Sequence, residues 1–127
     1  MSDLVKRAIN RLIEEMEKKS AKEDIEIVQS FVQDCSKYVD AVVNMENAIT
    51  VSRFILEPDA YREHLVNLDK SRKIAHDSLI VSVKLVNKLC RLYDVDPIYK
   101  GSDSRIEVAE FAKQVVDEFF AERKAAR

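Results

Sequence analysis

Residues 31–49 read FVQDCSKYVDAVVNMENAI, and their apolar side chains recur at alternating steps of three and four residues. That spacing is typical of one face of a helix that packs lengthwise against another helix. It predicts a long helix over Lys22–Leu56. The apolar positions of this face are Val28, Phe31, Cys35, Tyr38, Val42, Met45 and Ile49.

A second long helix is predicted over Asp59–Tyr93, with apolar residues on two of its sides. A helix that is apolar on two sides is expected to have neighbours on both. Pro58 suits the first position of a helix and Asp59 adds negative charge there, so we expect a sharp reversal at Glu57-Pro58 and antiparallel packing. One side carries Leu65, Leu68, Ala75, Leu79, Val83, Val86, Cys90 and Tyr93, and the other carries Ile74, Val81, Leu85, Leu89 and Leu92.

A shorter helix is predicted before this pair. Apolar residues at helical spacing place it over Asp3–Lys19, with Ser2 as its N-cap. Ser20 followed three residues later by Glu23 has the pattern of a capping box, in which each side chain bonds to the other residue's backbone. We therefore expect the second helix to begin there, after a break of one or two residues.

A second short helix is predicted after the pair. Pro97 and Gly101 mark the segment after Tyr93 as the one long loop. Ser104 and Glu107 form another capping-box pattern, which opens a helix with a broad apolar face. The sequence thus predicts an all-α fold, an antiparallel four-helix bundle with two long central helices and two shorter flanking helices.

Composition agrees with a single helical domain over residues 1–127, since the chain has one Gly and two Pro. Lys and Arg number 21 against 23 Asp and Glu, so the net charge of −2 gives no general attraction to nucleic acid or an anionic membrane. No signal-peptide pattern and no uncharged run of about 18 residues occurs, so a cytoplasmic protein is expected. Cys35 and Cys90 are expected to be buried and reduced, because their heights in the helix pair differ too much for a disulfide.

Several charged residues interrupt the apolar faces of the two long helices. On a helical wheel they point inward at similar heights, which predicts a charged cluster in the middle of the bundle. Such a cluster fixes the register of the helices as an ion-pair network or binds a small anionic ligand. No metal or other cofactor is expected, because the Glu-x-x-His pairs of di-metal bundles are missing and two arginines would repel a cation. The residues are Glu46, Arg53, Asp69, Arg72 and His76.

A basic ridge, Lys84, Lys88 and Arg91, lies at helical spacing on the second long helix. We interpret it as a solvated face rather than an RNA contact, since the chain as a whole is slightly acidic.

Residues from about Phe31 to Phe120 resemble a small family of bacterial proteins of unknown function. The resemblance rests on the string Arg72-Lys-Ile-Ala-His-Asp-Ser-Leu-Ile80, on Asn87-Lys-Leu-Cys90, and on the Glu110-Phe-Ala and Glu118-Phe-Phe pairs near the end. It implies a compact helical domain and no particular activity.

The string beginning at Arg72 is also similar to the Arg-x(4 to 6)-His motif of HEPN domains, helical bundles that often dimerise and cleave RNA without metal. That resemblance implies that Arg72 and His76, from both subunits, would hold a phosphate and assist attack by a 2′-hydroxyl. Here three residues separate the pair, and Lys73 stands where the family usually has a small polar residue.

A non-enzymatic interaction or assembly module that self-associates, most simply as a homodimer, is the function that the sequence favours. Apolar residues on two sides of the second long helix, together with Val43 and Phe54, offer more hydrophobic surface than two short helices cover. The alternatives are a HEPN-like ribonuclease using Arg72 and His76, with RNA as its partner, and a bundle that binds a small anion at the charged cluster.

Overall fold

The computed structural model describes residues 4–120, which are all-helical and contain four α-helices. The all-α prediction is confirmed for this part of the chain. A short 3₁₀ turn, Ser52–Phe54, lies within the connection between the two long helices. The α-helices are α1 (Leu4–Lys18), α2 (Lys22–Thr50), α3 (Pro58–Leu92) and α4 (Arg105–Phe119).

The two long helices, α2 and α3, pack side by side and run in opposite directions. The Tyr93 hydroxyl at the end of α3 donates to the Asp24 carboxylate at the start of α2 at 2.6 Å. Further along, the Ser82 hydroxyl donates to the carboxylate of Asp34. Pro58 occupies the first turn of α3 as predicted, with Asp59 beside it.

The core lies at one end of this hairpin, where α1 and α4 both pack against α2. Each of these helices has only 15 residues, so they cover only part of α2, which has 29, and α3, which has 35. α4 begins beside Tyr38, whose hydroxyl donates to the carbonyl of Arg105 at 3.4 Å. The fully buried large side chains include Ile9, Leu12, Met16, Val28, Phe31, Tyr38, Leu79, Val86, Val108 and Val115.

The rest of the hairpin is a bare pair of helices, which we call the distal hairpin (residues 44–71). Within residues 39–78, all of which the structure describes, Ala48 is the only residue that is buried. The remainder of the described chain, which consists of α1, α4 and the parts of α2 and α3 outside residues 44–71, we call the packed base. The distal hairpin extends from it.

One predicted helix end and one predicted helix cap are wrong. α2 ends at Thr50 rather than at Leu56, and the Thr50 hydroxyl donates to the Glu46 carbonyl in the last turn at 3.0 Å. The side chain of Ser20 caps nothing, because Ser20 has a left-handed backbone (φ 55°) and the N-cap of α2 is Ala21. The connection between α1 and α2 is so short that Ser20 must serve the end of α1 instead, where its N–H donates to the Glu17 carbonyl.

The second capping prediction is confirmed at Ser104, whose hydroxyl oxygen accepts a bond from the Glu107 N–H at 3.3 Å. The Glu107 carboxylate accepts from the Ser102 N–H instead of completing the box. A Cβ at position 101 would lie 2.6 Å from Glu107 Oε2, so a larger residue there would displace the end of this side chain. The predicted cap Ser2 lies outside the described residues.

Asn87 of α3 fixes the start of the loop that leads to α4. Its side-chain N–H donates to the Tyr99 carbonyl at 2.9 Å, and its oxygen accepts from the Ile98 N–H at 3.1 Å. Ile98 is buried against the core as a result. Cys35 and Cys90 lie in the same core as free thiols, as the sequence predicts.

Candidate functional site

Three of the predicted site residues lie together on α3. Asp69, Arg72 and His76 are spaced by three and four residues and so share one face of the helix. Arg72 Nε and Nη2 both donate to Asp69 Oδ1, at 3.2 and 2.9 Å. The Arg72 side chain is only 12% exposed, whereas that of Asp69 is 54% exposed. The guanidinium is therefore already neutralised by a neighbour on its own helix.

His76 joins α3 to the loop before α4. Its Nε2 lies 3.1 Å from the Asp103 carbonyl, which it reaches as a donor, and its Nδ1 lies 3.4 Å from Asp77 Oδ1. The ring also packs on Tyr38 at a centroid distance of 5.6 Å. Because both nitrogens face a protein oxygen and the side chain is only 15% exposed, His76 acts as a structural tie in this conformation.

Beside Arg72, two shallow clefts adjoin each other between α2 and α4. Both are lined by Tyr38, Val42, Ala109 and Glu110. The first, of about 200 Å³, also includes Glu46 and Lys113, and the second includes Arg72 and Arg105. Glu46 and Arg72 thus open onto neighbouring parts of one surface, on which positive and negative side chains alternate.

The five predicted residues do not form a buried charged cluster. Glu46, Arg53 and Asp69 are exposed, and Arg53 lies over the Phe54 ring at 4.6 Å, away from Arg72. The helical wheel fails here because Arg53 and Asp69 lie in the distal hairpin, which neither α1 nor α4 covers. Glu46 lies at its edge, where α4 leaves an open cleft instead of a closed core. Ligand binding at Glu46, Arg53, Asp69, Arg72 and His76 stays a prediction.

The described residues include no group of three or more His, Cys, Asp or Glu placed to hold a metal ion. Each cleft has a partly apolar wall and three charged side chains, Glu46, Glu110 and Lys113 in the first and Arg72, Arg105 and Glu110 in the second. Such a surface suits contact with another polypeptide better than enclosure of a small molecule, because binding pockets for small molecules are concave and bury most of the ligand.

An exposed row of apolar side chains lies on α3. Four apolar residues of its second side face solvent, and we call them the α3 stripe: Ile74, Val81, Leu85 and Leu92, which are 68%, 66%, 41% and 67% exposed. Only the fifth residue predicted for this side, Leu89, is buried. The expectation that α3 has neighbours on two sides is therefore not met within the described chain, since α1 and α4 both pack against α2.

The α3 stripe is straight. At roughly 100° per residue, its four side chains fall within about 40° of one another on the helical wheel, about 135° from the centre of the buried side of α3. From Ile74 to Leu92 it is about 27 Å long. This geometry is that of a helix with a second packing surface.

The turn of the distal hairpin carries a second group of exposed apolar residues. The 3₁₀ turn and its flanks leave Ile49, Val51, Phe54 and Ile55 facing solvent. Phe54 was recognised from the sequence as surplus apolar surface, but the group as a whole was not predicted, because α2 was expected to extend to Leu56. The signal was present in the run Val-Ser-Arg-Phe-Ile-Leu, which has no polar face at helical spacing.

Two residues of opposite charge, Asp77 and Lys88, lie on the same flank of the α3 stripe, and this arrangement was not recognised from the sequence. Asp77 is the one acid among the basic residues that flank the stripe, and Lys88 lies on the same flank. Lys84, by contrast, lies 3.6 Å from Asp103 and so belongs to a contact within the chain.

Between residues 4 and 120, none of the helices combines the length and the apolar character needed to cross a lipid bilayer. No curated protein and no solved structure matches the chain. The sequence profile of one family matches residues 3–125, nearly the whole chain, and that family is described as a protein of unknown function. The chain therefore belongs to the DUF3232 family.

Proposed function

We propose that the chain is a single antiparallel four-helix bundle that acts as a non-enzymatic interaction module and self-associates through α3. The observation that carries the proposal is the α3 stripe, four large apolar side chains in a line on the side of α3 that faces away from the core. Contiguous exposed apolar surface of this kind marks interaction sites in soluble proteins.

The energetics favour a second copy of the chain as the partner. Full burial of a Val, Leu or Ile side chain contributes about 1.5–3 kcal/mol. In a two-fold dimer each residue of the stripe is buried twice, so a short stripe yields a substantial driving force. The stripe is also self-complementary in shape, because apolar side chains spaced four and seven residues apart interdigitate with the same pattern on another helix.

The geometry near Arg72 supports a structural role for that region. The arginine is paired with Asp69, and both ring nitrogens of His76 face protein oxygens. The adjoining clefts are open and carry charges of both signs, which disfavours selective binding of an anion.

The test measures the mass in solution of the wild-type chain and of two matched variants, at protein concentrations from about 1 to 100 µM. Val81→Lys places a charge in the stripe, and Val66→Lys places one on an exposed position of α3 about 80° away from the stripe centre. We expect light scattering to give twice the 14.6 kDa of one chain for the wild type and for Val66→Lys, and a single chain for Val81→Lys. Circular dichroism checks that all three are equally helical.

A single-chain mass for the wild type throughout this range overturns the proposal. Two other results would replace it. Cleavage of RNA that survives a chelator and is lost in His76→Ala would establish the ribonuclease alternative. Saturable binding of a small anion that is lost in Arg72→Met would establish the ligand-binding alternative.

A further inference from the structure

The charges beside the α3 stripe are arranged asymmetrically. One flank is basic apart from Asp77, which lies within about 20° of Lys88 on the helical wheel. The opposite flank carries the small uncharged side chains of Ser71 and Ser78. A second helix can therefore approach closely on the serine side, while the charged side decides the direction in which it runs.

A parallel two-fold pair of α3 helices would place the charged flank of each copy against the serine flank of the other, so that neither Asp77 nor Lys88 would meet an opposite charge. An antiparallel pair brings equivalent flanks together in opposite directions. When its two-fold axis is level with Val83, midway along the stripe, Ile74 lies opposite Leu92 of the second copy, and Val81 lies opposite its Leu85. In the same register, Asp77 of each copy is level with Lys88 of the other.

Both charged residues are free to make this contact. The Asp77 side chain is 66% exposed and uses only Oδ1 toward His76. Lys88 is exposed and has no ion-pair partner in the described part of the chain. Lys84, the base nearest the two-fold axis, is held toward Asp103 at 3.6 Å. Like-charge contact at the axis is thereby reduced.

We infer that two copies of the chain pair through antiparallel α3 helices, with the two-fold axis level with Val83 and with Asp77 of each copy facing Lys88 of the other. This inference rests on the proposed self-association and adds its direction and register. The apolar stripe supplies the attraction, and the two ion pairs select one arrangement among those that the stripe alone would allow.

The first experiment uses charge reversal. Asp77→Lys and Lys88→Asp each convert both ion pairs of the dimer into like-charge contacts, so each variant alone should dissociate at least tenfold more readily than the wild type. An equal mixture should recover the wild-type dissociation constant within about threefold, because the mixed dimer contains two attractive pairs. Lys37→Asp and Asp40→Lys, at exposed positions of α2, are the matched controls and should leave the dissociation constant unchanged.

The second experiment needs no substitution. A zero-length carbodiimide joins a carboxylate to an amine only in direct contact, and Asp77 and Lys88 of one chain are about 16 Å apart along the helix. The dimer is assembled from an equal mixture of ¹⁴N- and ¹⁵N-labelled chains, so that a cross-link between chains can join one peptide of each label. We expect an Asp77–Lys88 cross-linked peptide pair that contains both labels.

The outcomes separate the two proposals. A dimeric wild type whose two variants are not restored on mixing, or whose cross-linked dimer lacks the Asp77–Lys88 link, overturns the register and leaves self-association standing. A wild type that has the mass of one chain at every concentration overturns both.

Discussion

The Tyr93 hydroxyl donates a 2.6 Å hydrogen bond to the Asp24 carboxylate, tying the end of α3 to the first turn of α2. This bond, followed by partial burial and the negative charge of Asp24, raises the pKa of the Tyr93 phenol above its ordinary value. Burial, followed by Glu107 and Asp103, raises the pKa of the Tyr99 phenol in the same direction. Both phenols are thus held in their protonated form by the fold.

Stability is predicted to fall at alkaline pH. A phenol in the unfolded chain loses its proton near pH 10, roughly, whereas Tyr93 in the fold does so only at higher pH. The contribution of the Tyr93 phenol to the free energy of unfolding is therefore complete below the pKa of the unfolded chain. It is lost as the pH rises through the pKa of Tyr93 in the fold. The melting temperature should drop between pH 9 and 11, roughly, and Tyr93→Phe, which cannot ionise, should show a shallower drop. An equally steep drop in Tyr93→Phe would contradict this role.

The two thiols are predicted to be unreactive until the chain unfolds. Burial, reinforced at Cys35 by the charge of Asp34, raises the pKa of both thiols, and only the thiolate is a good nucleophile. In urea at pH 8, Ellman's reagent should react with both thiols. In the native chain at the same pH, neither thiol should react within the time that this reaction takes in urea. Fast reaction of either thiol under native conditions would mean that the core around it opens.

Asn87 is predicted to contribute more to stability than its position on a partly exposed face suggests. Its side chain satisfies backbone groups of both Ile98 and Tyr99, so removing it leaves partly buried polar groups without partners. Asn87→Ala should lower the free energy of unfolding by about 2 kcal/mol. The matched control is Asn44→Ala, at an exposed position of α2 with the same gain in helix propensity, and it should change stability by less than about 0.5 kcal/mol. Equal effects of the two substitutions in urea denaturation would refute the prediction.

Hydrogen exchange is predicted to divide α2 and α3 into two parts. Amides of residues 28–38 and 79–90 lie under the packed base and should exchange only on global unfolding. Amides of the distal hairpin are supported by one buried residue, Ala48, and should exchange through local opening. Uniform protection along α3, measured by mass spectrometry at low protein concentration, would show that the distal hairpin is as stable as the base.

The long helices and their reversal were predictable from the sequence because each carries many apolar residues at helical spacing, with Pro58 between them. The helix ends were not equally predictable. Ser20 and Ser104 begin the same Ser-x-x-Glu pattern, yet only Ser104 caps a helix. The difference arises because Ser20 lies in a connection too short to leave its backbone extended, a constraint that involves α1 as much as α2.

The charged residues show a similar limit for the candidate site. A helical wheel gives the direction of Glu46 and Asp69 relative to α3 and α2 but does not show whether a third helix covers them. That depends on the lengths and positions of α1 and α4, which leave most of the distal hairpin uncovered. The second apolar side of α3 is recognisable from its spacing, but its exposure depends on the packing of α1 and α4 against α2, which the sequence pattern does not specify.

The division of the hairpin into a packed base and a bare extension also bears on how the family can vary. Because residues 44–71 add almost nothing to the core, removing or inserting about two turns from each helix there would shift the turn along the hairpin axis and leave the core of the base unchanged. Relatives that differ in total length should therefore have most of their insertions and deletions in this segment. The distal hairpin would then vary in length among relatives, while the packed base keeps its size.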